Sequence, residues 1–179
     1  MGRELVLASR DGTASVDVHE VAADSFRAAM RRFPTGVTIV TTILDGRPKG
    51  FTATAVASLS LTPPLVLVCV NRQARSHPIV SQAGRFCINL LRLDQEELAR
   101  AFAAHGNADP FAWVRTHADQ TGSPVIDDAL AYLDCELAEE YSAGTHTIFI
   151  GRVVACGATD GAPLGYFNGG YRDFGMQVP

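Results

Sequence analysis

Residues Gly50–Ser76, GFTATAVASLSLTPPLVLVCVNRQARS, hold two β-rich runs joined by the corner Pro63-Pro64. The first, about 50–57, carries small and hydroxyl side chains where a self-sufficient core strand would carry bulk. The second, about 64–70, contains LVLVCV. It is apolar throughout and reads as a strand buried on both faces. It runs straight into the polar loop Asn71-Arg72-Gln73-Ala74-Arg75-Ser76. A surface of Thr, Ala and Ser beside a donor-rich loop can lie flat against a large planar ligand with an anionic tail.

Upstream, Asp24 is placed to cap a short helix that sets Phe26, Ala29, Met30 and Phe33 on one face and stops at Pro34. Val37–Leu44 is a β-branched run, and Asp45-Gly46 is a strong hairpin turn signal. Downstream, His77–Ala83 reads as a short helix and 85–91 as a strand. Asp94 with Glu97 resembles a capping box before a second helix, LARAFA. The segment 104–128 is rich in Gly, Asn, Asp and Pro and reads as a long surface excursion. Two long strands, about 130–141 and 145–157, flank the turn Ser142-Ala143-Gly144, and 163–174 adds a last strand and turn. Residues 1–23 carry little periodicity and read as a poorly ordered N-terminal arm, leaving 24–179 as the domain. Many strands at short intervals with few helices predict a mainly β fold, a barrel with peripheral helices.

Composition narrows the function. The 179 residues are 47% hydrophobic and 19% charged, enough for a sizeable core. The net charge of −4 and the lack of a basic run argue against a nucleic-acid partner. No apolar stretch approaches a membrane span, and MGRELVLASRDG lacks a signal-peptide core, so no membrane partner and a cytoplasmic location are expected. Cys69, Cys87, Cys135 and Cys156 lie far apart with no CxxC, so they read as buried reduced thiols with no metal site. No GxSxG, HExxH, GxGxxG or Walker A pattern is present. Asp127-Asp128 and Glu139-Glu140 are sequence neighbours, which a strand would point to opposite faces, so neither pair reads as a carboxylate dyad.

The opening stretch resembles the short NAD(P)H:flavin reductases, the reductase components of two-component flavin-dependent monooxygenases. Four further pieces agree in order: FPTGVTIVTT from Phe33, GRFCINLL from Gly84, GTHTIFIGRV from Gly144 and PLGYFNGGYRDF from Pro163. The resemblance covers roughly residues 24–174 and implies an FMN-binding split β-barrel that dimerises. It also implies FAD (or FMN) and NADH as ligands, with hydride passing from nicotinamide to flavin. A partner monooxygenase then receives the reduced flavin. Such chemistry asks little of side chains beyond alignment, which fits a chain without an acid–base set. Two other readings stay open at this point: a split-barrel oxidoreductase that keeps its flavin, and a non-enzymatic flavin-binding protein.

The resemblance also assigns residues. Thr52, Ala53, Thr54 and Ala55 would meet the flavin ring edge or phosphate, small side chains letting the ring approach the backbone, and Ser58 and Leu59 would continue that wall. Thr35 and Gly36 would border the same ligand with Val37 beneath it. Asn71, Arg75 and Ser76 would contact the flavin and its phosphate, Arg75 by charge-assisted bonds. His146 would lie close to the nicotinamide, with Phe167 and Tyr171 as the aromatic side of that pocket. Thr145 stands where the family carries Asp, so His146 lacks a flanking carboxylate. Asn168 stands where relatives often have a basic residue, which favours NADH over NADPH.

Overall fold

A computed structural model describes residues 20–104 and 109–175. Helix α1 (Ala23–Met30) precedes strands β1 (Thr35–Gly36), β2 (Thr38–Leu44), β3 (Arg47–Ala53), β4 (Val56–Leu61) and β5 (Pro64–Asn71). Helix α2 (His77–Ala83), β6 (Arg85–Leu90) and α3 (Glu96–Ala103) follow. Strands β7 (Thr116–Ala118), β8 (Pro124–Ile126), β9 (Ala131–Ala143), β10 (His146–Ala158), β11 (Gly165–Phe167) and β12 (Gly170–Arg172) complete the chain.

The main sheet has the order β3-β2-β6-β9-β10-β5-β4. Its two edge strands, β3 and β4, are consecutive in sequence and separated only by Thr54-Ala55. Ala53 and Val56 are three Cα steps apart, at most about 11 Å. The sheet must therefore curl until its edges nearly meet. The result is a barrel with a seam at Thr54-Ala55, across which no ladder forms. This split barrel is the expected architecture, but the run 50–57 is two strands, not one. Small Thr and Ala side chains satisfy β propensity in either ladder, and propensity does not say which neighbour a strand will pair with.

Local chemistry explains the hairpins. Asp45 and Gly46 take φ of 52° and 71°, the two positive values of a tight two-residue turn whose twist matches its strands. The long β9–β10 hairpin turns at Gly144-Thr145, with Ala143 opposite His146, slightly later than the sequence suggested. In β5, Val66, Val68 and Val70 are buried, while Leu65, Leu67 and Cys69 are only half-buried. LVLVCV is thus buried on one face, and its other face borders the site described below.

Two cores form. The barrel interior holds Val40, Val66, Val68, Val70, Phe86, Ile88 and Phe149. Gly151 matters there, because a Cβ would lie 2.6 Å from Phe86 Cζ. A second core gathers Val37, Ile39, Leu91, Phe102, Ile126 and Leu164. The segment 104–128 is therefore not simply a surface loop. Residues 105–108 lie outside the described ones, but β8 is buried along its length. Its Ile126 N–H donates to the buried Asn89 Oδ1 at 2.7 Å, and Asn89 Nδ2 donates to the Ile39 carbonyl at 3.1 Å. The loop-forming composition of this segment hid a three-residue apolar strand.

The helix starts differ from expectation. Asp24 lies within the first turn of α1 and pairs with Arg27 at 2.9 Å, while Ala22 is the cap residue and makes no side-chain cap bond. A carboxylate in the first turn already complements the helix dipole. Asp94 and Glu97 form no capping box. A 3-10 turn, Leu93–Gln95, comes first, and Gln95 Oε1 accepts from the Arg92 N–H at 2.9 Å. Helix α1 opens at Ala23, and residues 1–19, most of the arm expected from the sequence, lie outside the described ones. Among the described residues, no helix is long and apolar enough to cross a membrane.

Candidate functional site

The barrel seam opens into a cleft with two lobes, each of about 670 Å³. Phe33, Thr35, Thr54, Val56 and Ala57 line both lobes. The first lobe lies between α1 (Phe26, Met30, Arg31), the β11–β12 hairpin (Tyr166, Phe167) and the half-buried face of β5 (Leu67, Cys69). The second runs along β4 past Ser58 toward Leu61, with Gly36 and Cys156 on its walls. Small side chains at Ala55, Ala57 and Ser58 keep the β4 backbone accessible to a flat ligand.

Strand alternation extends this floor to a second group of residues. Leu67, Cys69 and Asn71 share one face of β5. Their partners across the ladder are Ile150, Ile148 and His146 on β10. Asn71 and His146 therefore lie on the continuation of the cleft floor, one β5 repeat beyond Cys69. Asn71 organises the loop that follows: its Oδ1 accepts from the Gln73 N–H at 2.8 Å, and its carbonyl accepts from the Ala74 N–H at 3.0 Å. The Arg72 N–H donates to the Thr145 carbonyl at 3.0 Å, tying the loop to the β9–β10 turn. Arg75 is exposed and makes no ion pair among the described residues. Ser76 precedes α2 as its cap residue yet makes no side-chain cap bond, so its hydroxyl is not spent on the helix. His146 is exposed, and its Nδ1 lies 2.9 Å from Thr145 Oγ1. The threonine hydroxyl is thus the group that flanks the imidazole.

Of the residues assigned from sequence, Thr35, Gly36, Thr54, Ala55, Ser58 and Phe167 line the cleft. Asn71 and His146 pair at its extension, and Arg75 and Ser76 follow in the loop after Asn71. The others stand apart. Thr52 belongs to β3, and its hydroxyl donates to the Ala99 carbonyl of α3 at 2.6 Å. Ala53 packs against the barrel core, and Val37 is buried in the second core. Leu59 is exposed on β4 but does not line either lobe. Tyr171 packs edge-on against Tyr166, with ring centroids 5.6 Å apart and the Arg100 guanidinium 4.8 Å over its ring. Tyr166, not Tyr171, faces the cleft from this hairpin.

Sequence reasoning missed Phe26, Met30 and Phe33 as cleft residues. Their helical spacing placed them on one face without saying what that face meets, and α1 has no buried residue. It also missed His77, whose Nε2 lies 2.7 Å from the buried Thr147 Oγ1 and whose ring packs 5.4 Å from Phe149, anchoring α2 to β10. The expectation of four buried thiols holds for Cys87 and Cys135 only. Cys69 is half-buried and Cys156 exposed. Burial pushes the Cys69 thiol up, and burial with the nearby Asp134 pushes Cys135 up to about 12. Neither is poised as a thiolate nucleophile. The aspartates 127 and 128 are surface groups near Arg115, with Asp127 2.8 Å from His117 Nδ1.

The site fits a flavin on the protein's own terms. Among the described residues, the Thr35 Oγ1 is shielded from solvent and has no hydrogen-bond partner. A planar heteroaromatic can lie on the small side chains of Thr54, Ala55, Ala57 and Ser58 along the cleft. Among the described residues, no three metal-ligating side chains cluster.

A family model described as flavin reductase like domain matches residues 30–175, and the chain belongs to that family. It is 46% identical over 149 residues to the reductase component of a 4-nitrophenol 4-monooxygenase/4-nitrocatechol 2-monooxygenase from Rhodococcus opacus, covering 83% of this chain and 80% of the relative. It is 39% identical over 154 residues to an FMN reductase (NADH) from Agrobacterium fabrum, covering 86% and 87%. The fold is similar to that of the NADH:FAD oxidoreductase of Streptomyces globisporus C-1027 in complex with NAD and FAD fragments. That match has a TM-score of 0.81 and 35% identity, and covers 87% of this chain and 94% of that one.

Proposed function

We propose that this protein is an NADH-dependent flavin reductase. It binds FAD or FMN in the seam cleft, accepts hydride from NADH, and releases reduced flavin to a partner flavin-dependent monooxygenase. The observation that carries this reading is the continuous surface from Thr35, Thr54 and Ala55 along the β5 face to Asn71 and His146. It offers a flat floor, a polar edge and a cationic loop in the order that a flavin nucleotide presents ring and phosphate. Arg75 and Ser76 hold the phosphate, and the small residues of β4 admit the ring. Phe167 walls the nicotinamide side, and His146 positions the nicotinamide. The bound cofactors supply the hydride chemistry themselves, so the chain's task is to bind, align and exclude water.

The working unit in this reading is a homodimer with the cleft near the subunit boundary. Phe33 is 64% exposed and Leu61 90% exposed, and both line the cleft along with the exposed Phe26 and Met30. A contiguous apolar rim of this kind suits coverage by a second copy. Four free cysteines suit the reducing cytoplasm, where NADH is available. The test is steady-state NADH oxidation with FAD, FMN and riboflavin compared, together with the flavin content of the purified protein. Turnover that scales with added flavin supports a flavin substrate. Stoichiometric flavin that survives turnover points to an enzyme that keeps it.

A further inference from the structure

Two consecutive residues of β10 face opposite ways. His146 lies across from Asn71, on the face that continues the cleft floor. Thr147 lies across from Val70, on the other face, and is buried. There its Oγ1 is 2.7 Å from Nε2 of His77, the first residue of α2. The His77 ring also packs on Phe149, two residues along the same face, with ring centroids 5.4 Å apart. Helix α2 is seated on the barrel core through Val80, and Ala74 of the preceding loop packs against the same core. An apolar side chain at position 77 could fill this space by packing alone. The hydrogen bond adds a defined distance and direction.

The loop that carries Arg75 and Ser76 is thereby strung between fixed points. At its start the Arg72 N–H donates to the Thr145 carbonyl at 3.0 Å. At its end the His77 N–H donates to the Ala74 carbonyl at 3.1 Å, and the His77 side chain meets Thr147. One turn further on, Ser81 Oγ donates to Glu140 Oε2 at 3.0 Å, an exposed contact that water can replace. The Arg72, His77 and Ser81 ties all end on the β9–β10 hairpin. Of the two made by side chains, only the His77–Thr147 bond is shielded from water. We propose that His77 is a positioning residue: by bonding Thr147 it fixes Arg75 and Ser76 to the strand that carries His146, and so sets the preference for flavins that bear a phosphate. This inference rests on the flavin reductase reading and adds to it a residue that acts through its neighbours.

The test is a double-mutant cycle read through ligand selectivity. His77→Phe keeps a ring over Phe149 and loses the bond, and Thr147→Val loses it from the other side. Each flavin-free protein is measured for affinity to FMN and to riboflavin, which lacks the phosphate, by fluorescence quenching, and for stability by urea unfolding. Each single variant is expected to lower the ratio of FMN to riboflavin affinity roughly three- to tenfold, the scale of one hydrogen bond, with riboflavin affinity unchanged. The double variant should show the same ratio as either single one, because one bond is lost in all three. It leaves no buried hydroxyl unpaired at this place, so it should be more stable than His77→Phe. Thr147→Ser keeps the hydroxyl and should keep the wild-type ratio. An unchanged ratio in the single variants overturns the inference. So does equal weakening of FMN and riboflavin, a ratio that recovers with stability in the double variant, or failure of both single variants to fold, since each makes the bond a matter of folding alone. Absence of FMN and riboflavin binding in the wild type sinks the flavin reductase reading itself, a distinct result.

Discussion

His146 on β10 stands directly across the ladder from Asn71 on β5, at the point where β5 leaves the sheet for the Arg75-Ser76 loop. One residue pair thus joins the group assigned to the nicotinamide and the loop assigned to the flavin phosphate. The two roles should nevertheless separate on mutation. His146→Ala is expected to weaken NADH binding and slow reduction of bound flavin while leaving flavin affinity nearly intact, because the imidazole is exposed and bonded to Thr145, not to the loop. Stopped-flow reduction at varied NADH concentration measures both terms. Wild-type NADH affinity and rate in the variant would return His146 to an ordinary surface histidine.

Arg75→Ala combined with Ser76→Ala should act in the opposite sense. These groups hold the phosphate equally in ground and transition states, a uniform binding contribution. Flavin affinity is expected to fall roughly ten- to hundredfold, as for loss of a charge-assisted bond, with hydride transfer at saturating flavin little changed. Riboflavin, which has no phosphate, should bind the double variant and the wild type alike. A titration showing unchanged FMN affinity would sink the assignment.

Much of the fold was legible in local sequence. Asp45-Gly46 marked its hairpin because two positive φ values demand such residues, and the β9–β10 pair followed from two long β-rich runs around Gly144. The seam was not legible. Nothing within FTATAVAS distinguishes a strand that continues from one that changes partners, since the choice lies with the flanking hairpin partners β2 and β5 and with the closure of the whole sheet. The same break explains the site. Thr52 and Thr54 look equivalent, yet Thr52 stays in β3 and is claimed by Ala99, while Thr54 falls on the seam and faces the cleft. Helical spacing in α1 correctly grouped Phe26, Met30 and Phe33. It could not tell whether that stripe faces the protein's own core or a cleft.

Gly151→Ala tests the packing of the barrel. Its Cβ would lie 2.6 Å from Phe86 Cζ and 2.9 Å from Cys135 Cβ, both in the closed interior. Neither neighbour is a flexible chain end, so the backbone must shift, at about 1–3 kcal/mol. Urea unfolding should show a midpoint shift of that size without a change in slope. An unaltered midpoint would mean that the core is looser than these distances state.

Stability should fall at alkaline pH through the buried thiols. The Cys135 thiol is pushed from 9.0 to about 12, first by burial and then by Asp134. Between those values the folded chain keeps a proton that the unfolded chain has released. Unfolding then releases that proton, and stability drops as pH rises through the window from 9 toward 12. Cys135→Ala should be less stable at neutral pH, from the cavity, yet show a shallower alkaline decline. Identical slopes for the two proteins above pH 9 would contradict the assignment.

The central claim is that the seam cleft binds flavin for reduction by NADH. Anaerobic mixing of the protein with FAD or FMN and NADH, followed by the visible absorbance of oxidised flavin, tests it most directly. The account predicts bleaching far faster than the protein-free mixture, one NADH consumed per flavin reduced, and reduced flavin recovered in the filtrate after the protein is removed. Bleaching no faster than in the absence of protein would contradict it.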